Sequence, residues 1–535
     1  MDFITRSLPN GWVFDRLGEL AEINPRRFDP APDQDELVSF VPMAAVEAAT
    51  GRLDPSVTRP WSEVMRGYTT FQDNDVLFAK ITPCMENGKF AVARGLCGGR
   101  AAGSTEFHVL RPTPAIEPTY LLMFLLQESF RSQAKARMSG AVGQQRVPKD
   151  FLEESMIPVP PIAEQQRIVA AIEEQFTRLD AAVAGLKRTQ ANLRRYRAAV
   201  LAAACSGRLV PTEAELAARE GREYESADKL LEHILRQRQE RWEADQFARL
   251  KAKGTTSKSN AWKSKYREPV EPDAIGAWDV PEGWCIASVD QLTSHITSGS
   301  RDWSKYYGRG SGTFIMAQNV RPGLLDLDFR QAVDPPPNDR DRLRSQVEQG
   351  DLLVTIVGAN TGDVCCVPRN LPEHYVCQSV ALMRPVDQAI SDYMNLYLNS
   401  QEHGKRQYRA YIYGQGRPHL SFDQLRMTAI ALPSIAEQQR IVAEVDRRLS
   451  VIEELERTTD HALLRAERLK QSILQRAFEG KLVPQDRTDE PAEVLLDRIR
   501  AERVATSSNG RQRKPRARRS TQQSLFDLER VGETE

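Results

Sequence analysis

The chain has 535 residues, of which 41% are hydrophobic and 27% charged. It is too long for one hydrophobic core, and this composition is that of a folded globular protein rather than a disordered one. Basic and acidic residues are equal in number, 73 each, so a nucleic-acid partner would have to be held by local positive charge.

Neither the first residues nor the cysteines direct the chain out of the cytoplasm. The start, MDFITRSLPNGW, lacks the basic stretch and apolar centre of a signal peptide, and no apolar run approaches the roughly 18 residues that span a bilayer. The seven cysteines contain no C-x-x-C pair, which indicates reduced thiols rather than disulfides or a zinc site. We therefore expect a cytoplasmic protein without a metal site.

The first part of the chain has the mixed pattern of an α+β domain. DVLFAKI from Asp75 and EFHVLRP from Glu106 are typical of buried strands. TYLLMFLLQESFRSQAKARM, residues 119–138, predicts one amphipathic helix.

A long helix is predicted after a proline cluster that ends at Pro161. The next proline is Pro211, and Gly207 marks the end of the helix. About 40 helical residues would span about 60 Å. Apolar residues spaced alternately by three and four predict a coiled-coil seam: Phe176, Leu179, Val183, Leu186, Leu193 and Val200.

The second half of the chain repeats the first. IAEQQRIVA occurs at residues 162–170 and again at 435–443, and a P-x-G-W motif precedes each copy while G-[RK]-L-V-P follows it. Such a long period indicates a duplicated domain rather than a solenoid. Because a helix with one apolar stripe needs a partner, we expect the two long helices to pair, and an antiparallel pair is the arrangement we favour.

Two further segments are polar. ESADKLLEHILRQRQERW resembles DEPAEVLLDRIRAERV near the C-terminus, so a charged helix belongs to the repeat, and a Lys-, Ser- and Pro-rich linker follows the first copy. The C-terminal tail is predicted to be disordered, and it either contacts phosphates or is simply solvated. Its basic residues are Arg511, Arg513, Lys514, Arg516, Arg518 and Arg519.

Little in the sequence indicates catalysis. There is no G-x-x-x-x-G-K-[ST] phosphate loop and no H-E-x-x-H pair. DPPPN, residues 334–338, has a proline where adenine methyltransferases carry an aromatic residue that stacks on the flipped base. We expect a non-catalytic chain.

Two different domains on long helices suit asymmetric bipartite DNA, whose half-sites lie about 34 Å apart or at multiples of that distance. A coiled-coil scaffold that does not bind DNA, or an enzyme with an unrecognised site, are the alternatives.

The repeated order of P-x-G-W, divergent domain, I-A-E-Q-Q-R-I-V, long helix and G-[RK]-L-V-P resembles the specificity subunit of Type I restriction-modification enzymes. The predicted fold class is α+β, with two pseudo-symmetric globular target recognition domains joined by two long antiparallel coiled-coil helices. The predicted divisions are target recognition domain 1 at 1–157, helical spacer 1 at 158–211, a charged helix and linker at 212–273, target recognition domain 2 at 274–430, helical spacer 2 at 431–484, and a helix with a basic disordered tail at 485–535.

The resemblance also implies partners. Each recognition domain would bind one half of a double-stranded DNA site, and the spacers would act as a ruler and dock two DNA methyltransferase subunits. Motor-endonuclease subunits would join the complex, no membrane partner is implied, and S-adenosylmethionine, ATP and Mg would belong to those partners rather than to this chain. The expected docking residues are Glu164, Gln165, Gln166, Arg167, Glu437, Gln438, Gln439 and Arg440.

By position in the family, the loops SGAVGQQRV (139–147) and YGQGRPHL (413–420) are expected to contact DNA. Their side chains able to bond bases or phosphates are Gln144, Gln145, Arg146, Arg417 and His419. Composition alone adds Lys80, Lys89, Arg301, Lys305 and Arg309. For each residue a solvated surface charge is the alternative. Because the two loops differ, we expect two unlike half-sites.

Overall fold

The computed structural model describes residues 8–25, 28, 30–141, 143–252, 260–273, 279–368, 371, 373–414 and 416–511. The chain divides into two compact units: unit 1 combines residues 1–185 with 462–535, and unit 2 consists of residues 186–461. Unit 1 therefore contains both ends of the sequence. The predicted basic tail from residue 512 onwards lies outside the described residues, as does the side chain of Arg511.

Each unit contains a four-stranded antiparallel sheet with the same strand order. In unit 1 the order across the sheet is Ala21–Ile23, Phe107–Pro112, Val76–Ala79 and Phe90–Val92. In unit 2 it is Thr293–Ser298, Val380–Pro385, Leu352–Thr355 and Val364–Cys366. The strands predicted from DVLFAKI and EFHVLRP are confirmed. The inner strands Val76–Ala79 and Leu352–Thr355 are largely apolar, and all of their residues are buried.

The remaining sheets show where the two units differ. Unit 1 has a second four-stranded sheet in the order Thr58–Pro60, Leu37–Val41, Arg100–Gly103 and Thr69–Gln72. Unit 2 has instead a three-stranded sheet of Gln331–Val333, Tyr307–Ile315 and His374–Val376, and a small hairpin of Val320–Arg321 and Leu324–Leu325. One further antiparallel pair lies in each unit, Val13–Arg16 with Met156–Val159 and Cys285–Ser288 with Ala429–Leu432.

The helix predicted over residues 119–138 is two helices, Pro118–Leu125 and Glu128–Ala136. Gln127 between them is extended, with φ −61° and ψ 136°, and this conformation interrupts the helical hydrogen bonds. The other helices of unit 1 are Leu17–Leu20, Trp61–Val64, Lys149–Glu154 and Ala492–Arg511. Those of unit 2 are Glu213–Glu220, Ala227–Ala252, Val289–Leu292, Arg342–Ser345, Ser391–Asn399, Gly404–Tyr411 and Phe422–Met427.

Two helices of 44 residues each, Ile162–Cys205 and Ile435–Phe478, begin with the repeated segment. At 1.5 Å per residue each is about 66 Å long, close to the predicted length. In unit 1 the start of the first helix packs with the end of the second, where Lys470 Nζ donates a hydrogen bond to Asp180 at 2.5 Å.

The other halves of the same helices pack together in unit 2. Gln190 donates a hydrogen bond to Asp460 at 2.5 Å, and Arg197 lies 3.5 Å from Glu453. In these pairs the residue number on the second helix falls as the residue number on the first helix rises, so the two helices run antiparallel. The predicted pairing is confirmed.

The repeated G-[RK]-L-V-P motif follows each long helix, and its glycine lies in close contact with the proline of a P-x-G-W motif. Gly207 and Gly480 have φ near +68° and +67°, a conformation that other residues rarely adopt. A Cβ at Gly207 would stand 2.5 Å from Pro281, and one at Gly480 would stand 2.3 Å from Pro9. These prolines belong to the P-x-G-W motifs, so the two motifs are repeated together because they touch.

Among the described residues, no helix is both long and apolar enough to span a membrane. The same residues contain no group of three or more His, Cys, Asp or Glu side chains placed to hold a metal ion. All seven cysteines are free thiols.

Candidate nucleic-acid interface

In unit 1 the predicted DNA-contacting loop, residues 139–147, contains a β-hairpin. Ser139 and Arg146 exchange two backbone hydrogen bonds, of 3.0 and 2.8 Å. Val147 N donates to Lys80 O at 2.9 Å. This bond fixes the hairpin to the segment that follows strand Val76–Ala79 of the repeated four-stranded sheet.

The predicted loop of unit 2, residues 413–420, forms a corresponding hairpin. Tyr413 and His419 exchange backbone hydrogen bonds of 3.2 and 2.9 Å. Gly358 N donates to Pro418 O at 3.1 Å, which fixes the hairpin to the segment after the equivalent strand.

The two hairpins occupy equivalent positions in their units. Ile81 pairs with Arg146, and Val357 pairs with His419. Arg146 and His419 are 273 residues apart, which is the offset of the repeat. The backbone positions are therefore repeated, whereas the side chains that they carry are not.

The side chain of Arg146 is held by hydrogen bonds within unit 1. Its Nε and Nη2 donate to the two carboxylate oxygens of Glu106 at 2.9 and 2.8 Å, and its Nη1 donates to Gln144 O at 3.2 Å. The hydrogen bonds from Arg146 lower the pKa of Glu106, so the carboxylate stays charged. Arg146 therefore shapes the hairpin, while Gln144 is exposed and Gln145 half-buried.

A buried histidine, His108, is hydrogen-bonded to the same hairpin. His108 Nε2 donates to Val147 O at 2.9 Å, and its Nδ1 accepts from Asn24 Nδ2 at 3.0 Å. Burial lowers the pKa of His108, and the nearby charge of Lys80 lowers it further. The imidazole is thus neutral near pH 7 and acts as a structural link.

The two lysines predicted in unit 1 have different surroundings. Lys80 is half-buried at the base of the hairpin, where its backbone carbonyl accepts from Val147. Lys89 Nζ donates to Met43 O at 3.1 Å. Lys80 is therefore held at the base of the hairpin, whereas the Lys89 ammonium is bound to the backbone of its own unit.

The hairpin of unit 2 carries an exposed aromatic pair. The rings of Tyr413 and His419 stack with centroids 5.2 Å apart and an interplanar angle of 24°, and Tyr413 is 53% exposed. Arg417 at the tip is also exposed. Tyr413 was not among the predicted contacts, although an aromatic residue in a glycine-rich loop is a signal that a search for stacking side chains would have found.

The other predicted cations of unit 2 lie after strand Thr293–Ser298. Arg301 and Lys305 are exposed, and Lys305 Nζ is 4.9 Å from the ring centroid of Tyr306. The side chain of Arg309 lies outside the described residues. Backbone hydrogen bonds connect this segment with the hairpin: Gln378 N to Ser300 O, Ile356 N to Ser379 O and Leu420 N to Ile356 O, of 3.2, 2.9 and 2.9 Å.

The first two predicted docking residues of the repeated segment, Glu164 and Gln165, are buried in unit 1. Trp12 Nε1 donates to Glu164 at 3.0 Å, and Glu164 is 1% exposed. Gln165 donates to Pro160 O at 3.0 Å and accepts from Glu117 N at 2.8 Å. Both side chains satisfy polar groups inside the unit, so they are not available to another subunit.

The equivalent residues of unit 2 are buried in the same way. Trp284 Nε1 and Glu213 N each donate to Glu437 at 2.9 Å. Gln438 donates to Pro433 O at 2.8 Å. Glu437 and Gln438 are thus buried inside unit 2 as Glu164 and Gln165 are inside unit 1.

The other four predicted docking residues reach the surface. Gln166 and Gln439 are exposed. Arg167 is paired with Asp489, and Arg440 with Glu213, each at 2.6 Å. The arginines are half-buried, so part of each guanidinium faces outward.

The two buried glutamates differ in their hydrogen bonds. Burial raises the pKa of both Glu164 and Glu437, and the bonds from their neighbours oppose that rise. Glu437 accepts from two N–H groups, whereas Glu164 Oε1 has no partner among the residues that the structure describes.

Comparison with known proteins gives a family match over more than half of the chain. A model of the Type I restriction modification DNA specificity domain matches residues 9–188 and 345–464. The specificity subunit of the Type I restriction enzyme EcoAI of Escherichia coli is 26% identical over 504 residues, covering 84% of this chain and 79% of that protein. The EcoEI specificity subunit of the same organism is 26% identical over 506 residues, with the same coverage.

Solved structures show the same fold. A chain from a type I R-M system, described with its complex assembly and conformational transition, aligns with a TM-score of 0.62 at 20% identity. The alignment covers 89% of this chain and all of that one (100%).

Proposed function

The chain belongs to the Type I restriction-modification specificity subunits, and we propose that its two units each recognise one half of an asymmetric, bipartite site in double-stranded DNA. Such a subunit gives a restriction-modification complex its DNA sequence specificity, and a scaffold that does not bind DNA is not favoured. The observation that supports two unlike half-sites is the pair of equivalent hairpins with different side chains.

The chemistry of the hairpins suits different contacts. The exposed amide of Gln144 can pair with an adenine edge through one donor and one acceptor, while the half-buried Lys80 at the base of the same hairpin can approach a phosphate. Arg417 can donate two hydrogen bonds to guanine, and the exposed Tyr413 ring offers apolar contact to a thymine methyl. The two units would therefore select different bases.

The partners follow from the family. We propose that two methyltransferase subunits dock on the exposed side chains of the long helices, including Gln166, Arg167, Gln439 and Arg440. Motor-endonuclease subunits would join them in the cytoplasm. On this proposal the chain itself is non-catalytic, and S-adenosylmethionine, ATP and Mg act on the partner subunits.

A domain exchange tests the proposal. Residues 8–155 would be replaced by the corresponding domain of a relative with another target, and the complex with its methyltransferase would be assayed by gel shift on DNA with each half-site changed in turn. We expect one half of the preferred site to change and the other to stay. Binding that is indifferent to sequence before and after the exchange would overturn the proposal, and methyl transfer by the purified chain alone would overturn its non-catalytic part.

A further inference from the structure

Unit 2 contains a cavity of about 800 Å³ between the two long helices and helix Ser391–Asn399. This volume lies within the range of roughly 300 to 1,000 Å³ of small-molecule sites. No role described above uses the cavity, and it is separate from the hairpin of unit 2, because none of residues 413–420 lines it.

The equivalent place in unit 1 is filled by leucine. Leu122 of unit 1 corresponds to Asn395 of unit 2, and a Cβ placed on Gly51 would stand only 2.8 Å from Leu122 Cδ2. Gly323 corresponds to Gly51, because Gly51 pairs with Ala91 and Gly323 N donates to Val364 O, the residue equivalent to Ala91. Gly323 lines the cavity and has open space within 4 Å of such a Cβ. The cavity therefore arises from a local change of side chains on a repeated backbone.

Polar atoms without partners lie in the cavity wall. Ser391 Oγ and Asn399 Oδ1 are buried and have no hydrogen-bond partner among the described residues, and their side chains are 2% and 9% exposed. Asn399 Nδ2 donates to Val364 O at 2.9 Å and to Asn395 Oδ1 at 3.0 Å, which fixes the orientation of the amide. Burying such atoms unpaired is unfavourable, so a ligand with N–H or O–H donors would be stabilised there.

The other walls combine apolar and charged side chains. Aliphatic residues of the second long helix, Val442, Val445 and Leu449, face the cavity. Arg194 also lines it, and its side chain makes no hydrogen bond or ion pair with the described residues, which leaves its guanidinium available for an anion. Asp446 lines the cavity as well.

Two carboxylates, Asp392 and Asp446, are part of this wall. Burial raises the pKa of Asp446, and the charge of Asp392 raises it further. Both line the cavity. Hydroxyl groups of a sugar are donors that suit such carboxylates.

We propose that this cavity binds a nucleoside monophosphate or a ligand of the same chemistry. A flat ring would lie against the aliphatic wall with its N–H groups toward Ser391 and Asn399. The sugar hydroxyls would donate to Asp392 or Asp446, and the phosphate would accept from Arg194.

The restriction of this cavity to its own unit supports a small ligand over a subunit contact. The methyltransferase subunits are proposed to bind equivalent surfaces of both copies of the repeat, and a contact with them would call for equivalent residues. Asn395 and Asn399 correspond instead to Leu122 and Leu126. The inference does not depend on the assignment of DNA contacts.

Isothermal titration calorimetry on the purified full chain tests the proposal with three probes: AMP, adenosine and inorganic phosphate. We expect AMP to bind with a Kd below about 1 mM, which is within reach of a ligand of this size. Asn395→Leu introduces the residue of unit 1 and should weaken AMP binding at least about tenfold by filling the cavity. Arg194→Gln should weaken AMP about fivefold or more and leave adenosine within about twofold.

Arg195→Gln is the matched control, because Arg195 is the next residue on the same helix and does not line the cavity. AMP should bind this variant as it binds the unchanged chain. Absence of saturable binding by AMP at 5 mM, or equal binding of AMP to the Asn395→Leu variant, would overturn the proposal. Phosphate that binds as tightly as AMP would overturn the assignment of the ring and sugar.

Discussion

At the scale of single residues, the buried glutamates of the repeated segment behave differently although they are equivalent in sequence. Glu437 accepts from Trp284 and from Glu213 N, so Glu437→Gln would place an amide NH2 against one of these donors. Glu164 accepts only from Trp12, and Glu164→Gln keeps that bond. We expect Glu437→Gln to lower the free energy of unfolding by about 1 to 3 kcal/mol and Glu164→Gln by less than about 1 kcal/mol. Urea unfolding followed by tryptophan fluorescence measures both, and a greater loss in Glu164→Gln would contradict this account.

The raised pKa of Glu164 also predicts a pH effect. A carboxyl whose pKa is higher in the folded chain than its ordinary value of 4.5 favours folding in its protonated form. Its contribution to stability is complete below that ordinary value and is lost as the pH rises through the folded pKa. We therefore expect the Tm of Glu164→Gln, relative to the unchanged chain, to increase from pH 4 to pH 7. A difference in Tm that stays constant over this range would show that Glu164 does not titrate with folding.

Arg417 provides a residue-scale test of the DNA contacts. Arg417→Ala should weaken binding to the half-site of unit 2 by about 1 to 3 kcal/mol if the guanidinium contacts a base, and should relax the sequence preference there. Gln144→Ala is the matched variant in unit 1 and should affect only the other half-site. Gel shifts with single-base changes in each half-site separate the two effects. Equal loss on both half-sites from either variant would rule out this division.

Sequence patterns predicted elements better than the environments of single side chains. Glu164 and Gln165 lie in an amphipathic helix, where charged and amide residues are ordinarily exposed. Their burial depends on Trp12, which is 152 residues away from Glu164, and local periodicity carries no information on such a contact. Tyr413 could have been found as an aromatic residue in a glycine-rich loop, but its stacking on His419 depends on the folded hairpin.

At the scale of elements, the long helices were predictable because their pattern is local and long. The repeated segment predicted where each helix begins. The apolar seam predicted that the two helices pair, and an antiparallel pair was the favoured arrangement. The break at Gln127 was not predictable, because the apolar residues Leu125 and Leu126 run directly into it and Gln127 is itself buried. The second sheets were also missed, since their short strands depend on partners far away in the sequence.

The paired helices predict a length effect. Four residues would be inserted at the middle of both helices, after Gly185 and at the facing point after Leu464, so that pairs such as Gln190 with Asp460 can re-form. The insertion lengthens each helix by about 6 Å, which corresponds to about two base pairs of DNA. We expect the preferred spacer between half-sites to lengthen by that amount. Selection from a library of spacer lengths measures it, and an unchanged spacer would argue against a ruler; insertion into one helix alone should instead reduce stability.

At the scale of the whole molecule, unit 1 depends on the C-terminal helix. Arg500 pairs with Asp15 at 2.8 Å, Arg167 pairs with Asp489 at 2.6 Å, and Leu496 is buried in the core of the unit. Removal of residues 485–535 should therefore destabilise unit 1 by about 2 to 5 kcal/mol, mainly through the lost burial of apolar side chains. Unit 2 should be unaffected, because its equivalent helix, Ala227–Ala252, lies within residues 186–461.

Limited proteolysis with mass spectrometry checks this prediction. Cleavage should become faster within residues 8–155 and stay unchanged within residues 279–430. Removal of residues 512–535 alone is the control and should leave both rates as they are. Faster cleavage in both units after the longer truncation would contradict the independent folding of unit 2.

The hydrogen bond that holds each of these helices at its start has a topological consequence. Ala227 N donates to Gly283 O at 2.9 Å, and Ala492 N donates to Gly11 O at 3.0 Å. In unit 2 the helix comes shortly before the glycine in the chain, whereas in unit 1 the same neighbours come from opposite ends of the sequence. The chain of unit 1 is thus circularly permuted relative to that of unit 2: the same contact forms in both units, although the order of its two segments along the sequence is reversed.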